Sequence, residues 1–246
     1  MKCKNSLSVL RRICRGSRAG RKIVPSAGGT PATTAAFSLV ELLVVIAIII
    51  ILAGLILSTM GYVRKKGARA RADTEIAAMS AACESYKADN GIYPRDPTAN
   101  TATDKLNAKT DGDPTLSATN PSGATYPPAS LVLYRALSGD TNLDRAVNAT
   151  DQNFKIDGTT LSPPLTQLPK VYFTFKPNML LPSGGTGTVT AIGDPFGNSY
   201  GYSTAYQYDL NTGYNPTFDL WTTCGETAKQ STETFQQYQL RWIKNW

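Results

Sequence analysis

The chain contains no histidine. That one absence removes histidine general bases, histidine metal ligands and every Ser–His or Cys–His nucleophile pair. Cysteine is scarce: Cys3, Cys14, Cys83 and Cys224 only. No P-loop, Gly-x-Ser-x-Gly or Cys-x-x-Cys motif occurs, which takes away the usual sequence signatures of phosphate cradles, hydrolase elbows and dithiol centres. Paired carboxylates exist, but no spacing fixes two of them on one wall of a pocket. Four tyrosines at 200, 202, 206 and 208 are explained by strand packing without a ligand. The chain is therefore expected not to be an enzyme.

Acids are missing from the first 36 residues, which hold Lys2, Lys4, Arg11, Arg12, Arg15, Arg18, Arg21 and Lys22. The whole chain has 25 basic and 18 acidic residues. Without that segment 17 basic residues face 18 acids, a net charge of −1 in place of +7. The basic character belongs to the leader, so it is no argument for nucleic-acid binding, and none is expected. Residues 1–36 read as a cleaved targeting segment held in the cytoplasm by its charge. Arg64, Lys65, Lys66, Arg69 and Arg71 crowd the far side of the next segment, so charge alone leaves orientation open. With the leader removed, Cys83 and Cys224 either form one disulfide outside the cytoplasm or remain two separate thiols.

Charge is also nearly absent from Phe37–Leu57, FSLVELLVVIAIIIILAGLIL, where Glu41 stands alone. At about 1.5 Å per residue the run reaches roughly 30 Å, the thickness of a bilayer core. A carboxylate inside such a segment costs about 2.5–3.5 kcal/mol on insertion scales, so it needs a partner or a purpose. Its place near the start of the run suggests a new amino terminus as that partner. A signal-peptide apolar region is usually shorter, about 7–15 residues.

No helix breaker follows. Ala72, Ile76, Met79, Cys83 and Tyr86 recur every three to four positions, one apolar stripe. Asp73, Glu75, Glu84, Lys87 and Asp89 fill the polar face. Asn90-Gly91 with Pro94 beyond is a stop signal. The pattern predicts one helix from Phe37 to about Asn90, with 37–57 the membrane or assembly half and 58–90 an amphipathic half packed on a head, 91–246. Residues 95–128 read as a long mobile loop, part of a loop-rich insertion over about 95–170. Residues 129–138 predict a short second helix after Pro127-Pro128. Val171–Phe175, Gly187–Ile192, Tyr200–Thr204 and Phe218–Thr223 predict strands, and the aromatic end, Tyr238–Trp246, is expected to be packed. The fold class is α+β, with a small antiparallel sheet on the amphipathic half. The 210 residues after the leader suffice for one head domain.

A basic leader, a small residue and then Phe37-Ser38-Leu39-Val40-Glu41 opening a long apolar helix resemble the type IV pilin class. Within it, Ser85–Pro94 (SYKADNGIYP), the turn Asp194–Tyr200 (DPFGNSY), Phe218–Trp221 and the closing Ile243–Trp246 are similar to the major pseudopilins of type II secretion. The matches frame residues 37–246, and 95–190 matches poorly. The family has Gly before the cut; this chain has Ala36. The resemblance implies a pilin-like fold, cleavage between Ala36 and Phe37 by a prepilin peptidase, and N-methylation of Phe37. It implies a single-pass inner-membrane protein with a periplasmic head. It further implies a helical homo-oligomeric filament built with minor pseudopilins on an inner-membrane platform, pushing folded proteins across the outer membrane. In that filament the Glu41 carboxylate would pair with the Phe37 ammonium of a neighbour; breaking such a buried pair costs about 3–5 kcal/mol. A type IV pilus subunit, for adhesion, motility or DNA uptake, is the nearest alternative.

Calcium has two candidate positions. The resemblance implies one in an acidic C-terminal loop, where this chain has the acid-poor Cys224-Gly225-Glu226-Thr227-Ala228-Lys229. The other is Asp140, Asn142, Asp144, Ala146, Asn148 and Asp151, oxygen donors at positions 1, 3, 5, 7, 9 and 12 of an EF-hand-type loop, with Ala146 giving its carbonyl. That spacing resembles the loop of dockerin modules. Arg145 stands where such a loop wants Gly, and Asp151 replaces the usual Glu. An ordinary hydrophilic loop is the alternative reading, and a membrane-anchored calcium- or glycan-binding module is the corresponding function.

Overall fold

The structure, a computed structural model, describes residues 37–98 and 101–246. The leader and Ala36 lie outside the described residues. The described residues divide into two units, 37–52 and Ala53–Trp246. Helix α1 spans Leu39–Asn90, as the periodicity predicts. No proline interrupts it, and it ends where Gly91 turns to φ 77° and gives its N–H to the Lys87 carbonyl at 2.7 Å. Every side chain from Phe37 to Leu52 is exposed.

In the second unit α1 becomes one-sided. Ala72, Ile76, Met79, Ala82 and Cys83 are buried, and Tyr86 packs against the same core. Glu75 departs from expectation. It reads as an outer-face acid, yet it is buried: Arg71 Nε donates to one oxygen at 2.6 Å and the Tyr200 hydroxyl to the other at 2.8 Å. Burial and then the Glu75 charge push the Tyr200 phenol well above its ordinary pKa, keeping it a donor.

Short elements build the rest of the head. Helix α2 is Ala102–Lys105, α3 Tyr126–Ser138, β1 Leu180–Leu181, β2 Ala191–Ile192, β3 Gly201–Ser203, α4 Ala205–Tyr208, β4 Asp219–Thr222, α5 Phe235–Gln239 and β5 Ile243–Lys244. Proline opens α3, where a missing N–H costs nothing, and left-handed Gly139 closes it. Strands β1 and β2 pair antiparallel; β3, β4 and β5 form a second antiparallel sheet in that order. One core joins α1, α3 and both sheets; a second gathers Leu106, Tyr126, Trp221, Tyr238 and Trp242. The described residues are thus α+β with a long apolar helix and small antiparallel sheets.

Two expectations are corrected and one open alternative is decided. Residues 101–128 are folded: Leu106 and Ala108 are fully buried, and Arg95 grips Asp104 through Nε and Nη2 at 2.9 and 2.7 Å. Val171–Phe175 is not a strand, because the Tyr172 and Phe173 N–H groups both go to the Leu137 carbonyl at the end of α3. Of the two readings left open for the cysteines, separate thiols hold and the possible disulfide is not formed. Cys83 and Cys224 are both buried and free, with Cys83 on the core face of α1 and the Cys224 thiol turned to the Thr222 carbonyl.

Candidate functional site

The start of α1 brings Phe37, Ser38 and Glu41 together. A helix N-terminus leaves its first N–H groups without partners. Here the Glu41 carboxylate accepts from the Ser38 N–H at 3.0 Å, while the Ser38 hydroxyl accepts from the Val40 N–H at 3.3 Å. The Ser38 carbonyl takes the first helical bond, from the Leu42 N–H, at 3.2 Å. Glu41 thus makes the acidic half of a Ser-x-x-Glu capping box, where its charge also favours the helix dipole, while the Ser38 hydroxyl caps the N–H of Val40. The sequence carries that spacing, and it gives Glu41 a local partner in addition to the amino terminus inferred above. Phe37 is 79 % exposed and adjoins the capped residue. An ammonium group made at Phe37 would stand one residue from the N–H that Glu41 already accepts.

Behind this cap the apolar side chains from Leu39 to Leu57 are uncovered, and none of the most apolar stretch is buried. Such a surface is stable only against lipid or against other apolar helices. Its length and composition are compatible with a single-pass membrane anchor.

The second candidate, 140–151, folds as a loop closed on itself. The Asp140 carboxylate accepts from the Asp144 and Arg145 N–H groups at 3.2 and 2.7 Å and from the Tyr134 hydroxyl at 2.7 Å. Burial pushes its pKa upward in spite of these donors. The Asn142 side chain accepts from the Asp144 N–H, and Asp144 accepts from the Ala146 N–H, at 3.0 and 2.9 Å. Asn148 caps the short 3-10 turn Ala149–Asn153. Asp151 is fully buried and accepts from the Thr141, Asn142 and Asn148 N–H groups at 2.7, 3.1 and 2.7 Å.

Arg145 takes the left-handed φ of 75° that a glycine would adopt without cost. Its guanidinium makes up for that, with Nε and Nη2 donating to the Gly187 and Pro182 carbonyls at 2.9 and 2.7 Å. The expected calcium donors face the loop's own N–H groups. Among the described residues no three acidic or cysteine side chains converge as a metal cluster.

The C-terminal loop holds a guanidinium between its acids. Arg241 Nε donates to Glu226 at 2.7 Å, and Nη1 and Nη2 donate to Glu233 at 2.6 and 2.8 Å. In the DPFGN turn, Asp194 accepts from the Phe196 and Asn198 N–H groups at 2.9 and 2.8 Å, a structural role. No family model matches the chain, and no match occurs among curated proteins or solved structures.

Proposed function

We propose that the chain is a structural subunit of a pilin-like filament, of the type II secretion pseudopilus kind. A type IV pilus subunit is the nearest relative of that reading. The proposed course is as follows. A prepilin peptidase cuts between Ala36 and Phe37 and methylates the new terminus. The span Leu39–Leu57 stores the subunit in the inner membrane with its head in the periplasm. Subunits then leave the bilayer and stack their apolar helices into a polymer, on a platform and with minor subunits. The observation that carries this is an acid held at the first turn of a wholly uncovered apolar helix, beside Phe37. The uncovered helix accounts for two successive neighbours, lipid and then other copies. The acid accounts for a charged partner at a fixed depth.

The capping box favours a second reading, a plain membrane anchor in which Glu41 only finishes its own helix. Two substitutions separate them. Gln at this position still closes a capping box but carries no charge. For the filament, Glu41→Gln and Glu41→Ala both abolish assembly, seen by electron microscopy and cross-linking. For the anchor, neither changes the polymeric state. Assembly by the Glu41→Gln protein as in the wild type would remove the proposed ion pair. Intact mass of the membrane-extracted protein supplies the companion check: a chain beginning at Phe37 with one methyl group, about 14 Da, is expected from the N-methylation proposed here.

A further inference from the structure

The α1 segment that follows the apolar run carries charge of one sign. No acid stands between Glu41 and Asp73, while Arg64, Lys65, Lys66, Arg69 and Arg71 all fall inside that interval. Arg71 pairs with Glu75 at 2.6 Å. Among the described residues, Arg64, Lys65, Lys66 and Arg69 have no carboxylate at ion-pair distance. Tyr62, Lys65, Lys66 and Arg69 are spaced i, i+3, i+4 and i+7, so they share one face of the helix. They line one groove on its surface.

The same helical stripe runs on into Ala72, Ile76 and Met79, which are buried in the head. The cations therefore emerge from beneath the head's packed face. Arg69 lies close enough to Cys224 for its charge to act on that thiol, together with Asp194 and Glu226. Both of those acids are committed elsewhere, Asp194 to Thr222 and Glu226 to Arg241. Tyr62 is 73 % exposed and Val63 63 %. An exposed tyrosine about one turn beyond an apolar span, followed by cations, is the pattern of a membrane–water boundary.

We propose that Tyr62, Lys65, Lys66 and Arg69 form a docking face for anionic phospholipid headgroups in the leaflet at that end of the span. The phosphates complete the ion pairs that the head withholds, and the tyrosine sits among the headgroups. The consequence is a membrane-stored state fixed in depth by charge as well as by the apolar run. Departure from the bilayer then requires these cations to exchange lipid phosphate for other anions. This inference rests on the reading that Leu39–Leu57 spans a bilayer.

The full-length chain is placed in phosphatidylcholine nanodiscs containing trace spin-labelled phosphatidylglycerol or spin-labelled phosphatidylcholine. The motionally restricted fraction of each label is then read by electron paramagnetic resonance. Each cation held at an anionic surface is worth about a five-fold preference. The expected result is at least about a five-fold excess of restricted phosphatidylglycerol, lost in high salt and reduced at least about five-fold in the triple variant K65Q/K66Q/R69Q, which keeps only the preference due to the cations of residues 1–36 and Arg64. The charge-conserving K65R/K66R protein should retain it, which separates charge from damage to the helix. Equal restriction of the two labels in the wild type would overturn the docking face while leaving the span intact. So would a preference that the triple variant leaves undiminished. Salt-sensitive cross-linking between copies without any lipid preference would assign the cations to a second copy and overturn it too. No restricted component with either label would sink the membrane reading itself.

Discussion

At Asp151 one buried carboxylate serves three backbone donors, the N–H groups of Thr141, Asn142 and Asn148. Removing an acceptor leaves buried donors without water or partner, the expensive side of hydrogen bonding. Asp151→Ala should therefore destabilise the head by about 3 kcal/mol, measured by thermal or denaturant unfolding. Asp144→Ala, at an exposed position of the same loop, should cost about 1 kcal/mol or less. Running both with and without calcium separates the two readings of 140–151. A loss through the loop's own donors is the same in either buffer, whereas a loss through an ion disappears once the ion is withheld. At this scale the sequence was half legible. The oxygen spacing at 140–151 marks a loop whose carboxylates accept from its own N–H groups, and the Ser-x-x-Glu spacing of a cap stands at Ser38. The burial of Glu75 was not legible, because its second partner is Tyr200, far along the chain. Nor was the use of Arg145 in a left-handed turn, since its compensation comes from carbonyls at 182 and 187.

Among elements, the two long helices α1 and α3 were legible and β2, β3 and β4 fall within expected strand segments, whereas the short helices α2, α4 and α5 and the strands β1 and β5 were missed. Helix α1 announces itself by its period and its Asn90-Gly91 stop, both local signals. The strands are two to four residues long and gain their identity from packing. Val171–Phe175 has strand composition but spends its N–H groups on the end of α3. In the β3–β4 pair, Gly201 lies opposite Trp221. A Cβ on residue 201 would fall 2.3 Å from the Trp221 indole, and that ring is fully buried with its N–H bonded to the Tyr126 hydroxyl at 2.8 Å. Gly201→Ala is expected to force the indole aside at a cost of about 1–3 kcal/mol. The lost Tyr126 contact should show as a red-shifted tryptophan emission; an unchanged spectrum and unfolding midpoint would refute the close approach.

For the whole molecule, acid stability depends in part on Arg241. Its hydrogen bonds, with help from the Gln230 N–H, lower the Glu233 carboxyl from 4.5 to about 2. A carboxyl held lower in the folded state adds stability that is complete above pH 4.5 and is lost as pH falls towards 2. Asp194 and Asp219 act the other way, because burial raises their pKa values. Comparison with Glu233→Gln isolates the clamp: the wild type should lose more of its unfolding midpoint between pH 4.5 and pH 2 than the variant does. Equal slopes would mean the clamp adds nothing. The two cysteines of the described residues carry a different consequence. Cys83 is inaccessible and Cys224 nearly so, and neither is paired. The head can therefore mature without an oxidase or an isomerase, and a reducing compartment is no obstacle to it. Oxidants arriving later find no thiol of Cys83 or Cys224 exposed at its surface through which to join the head to another protein.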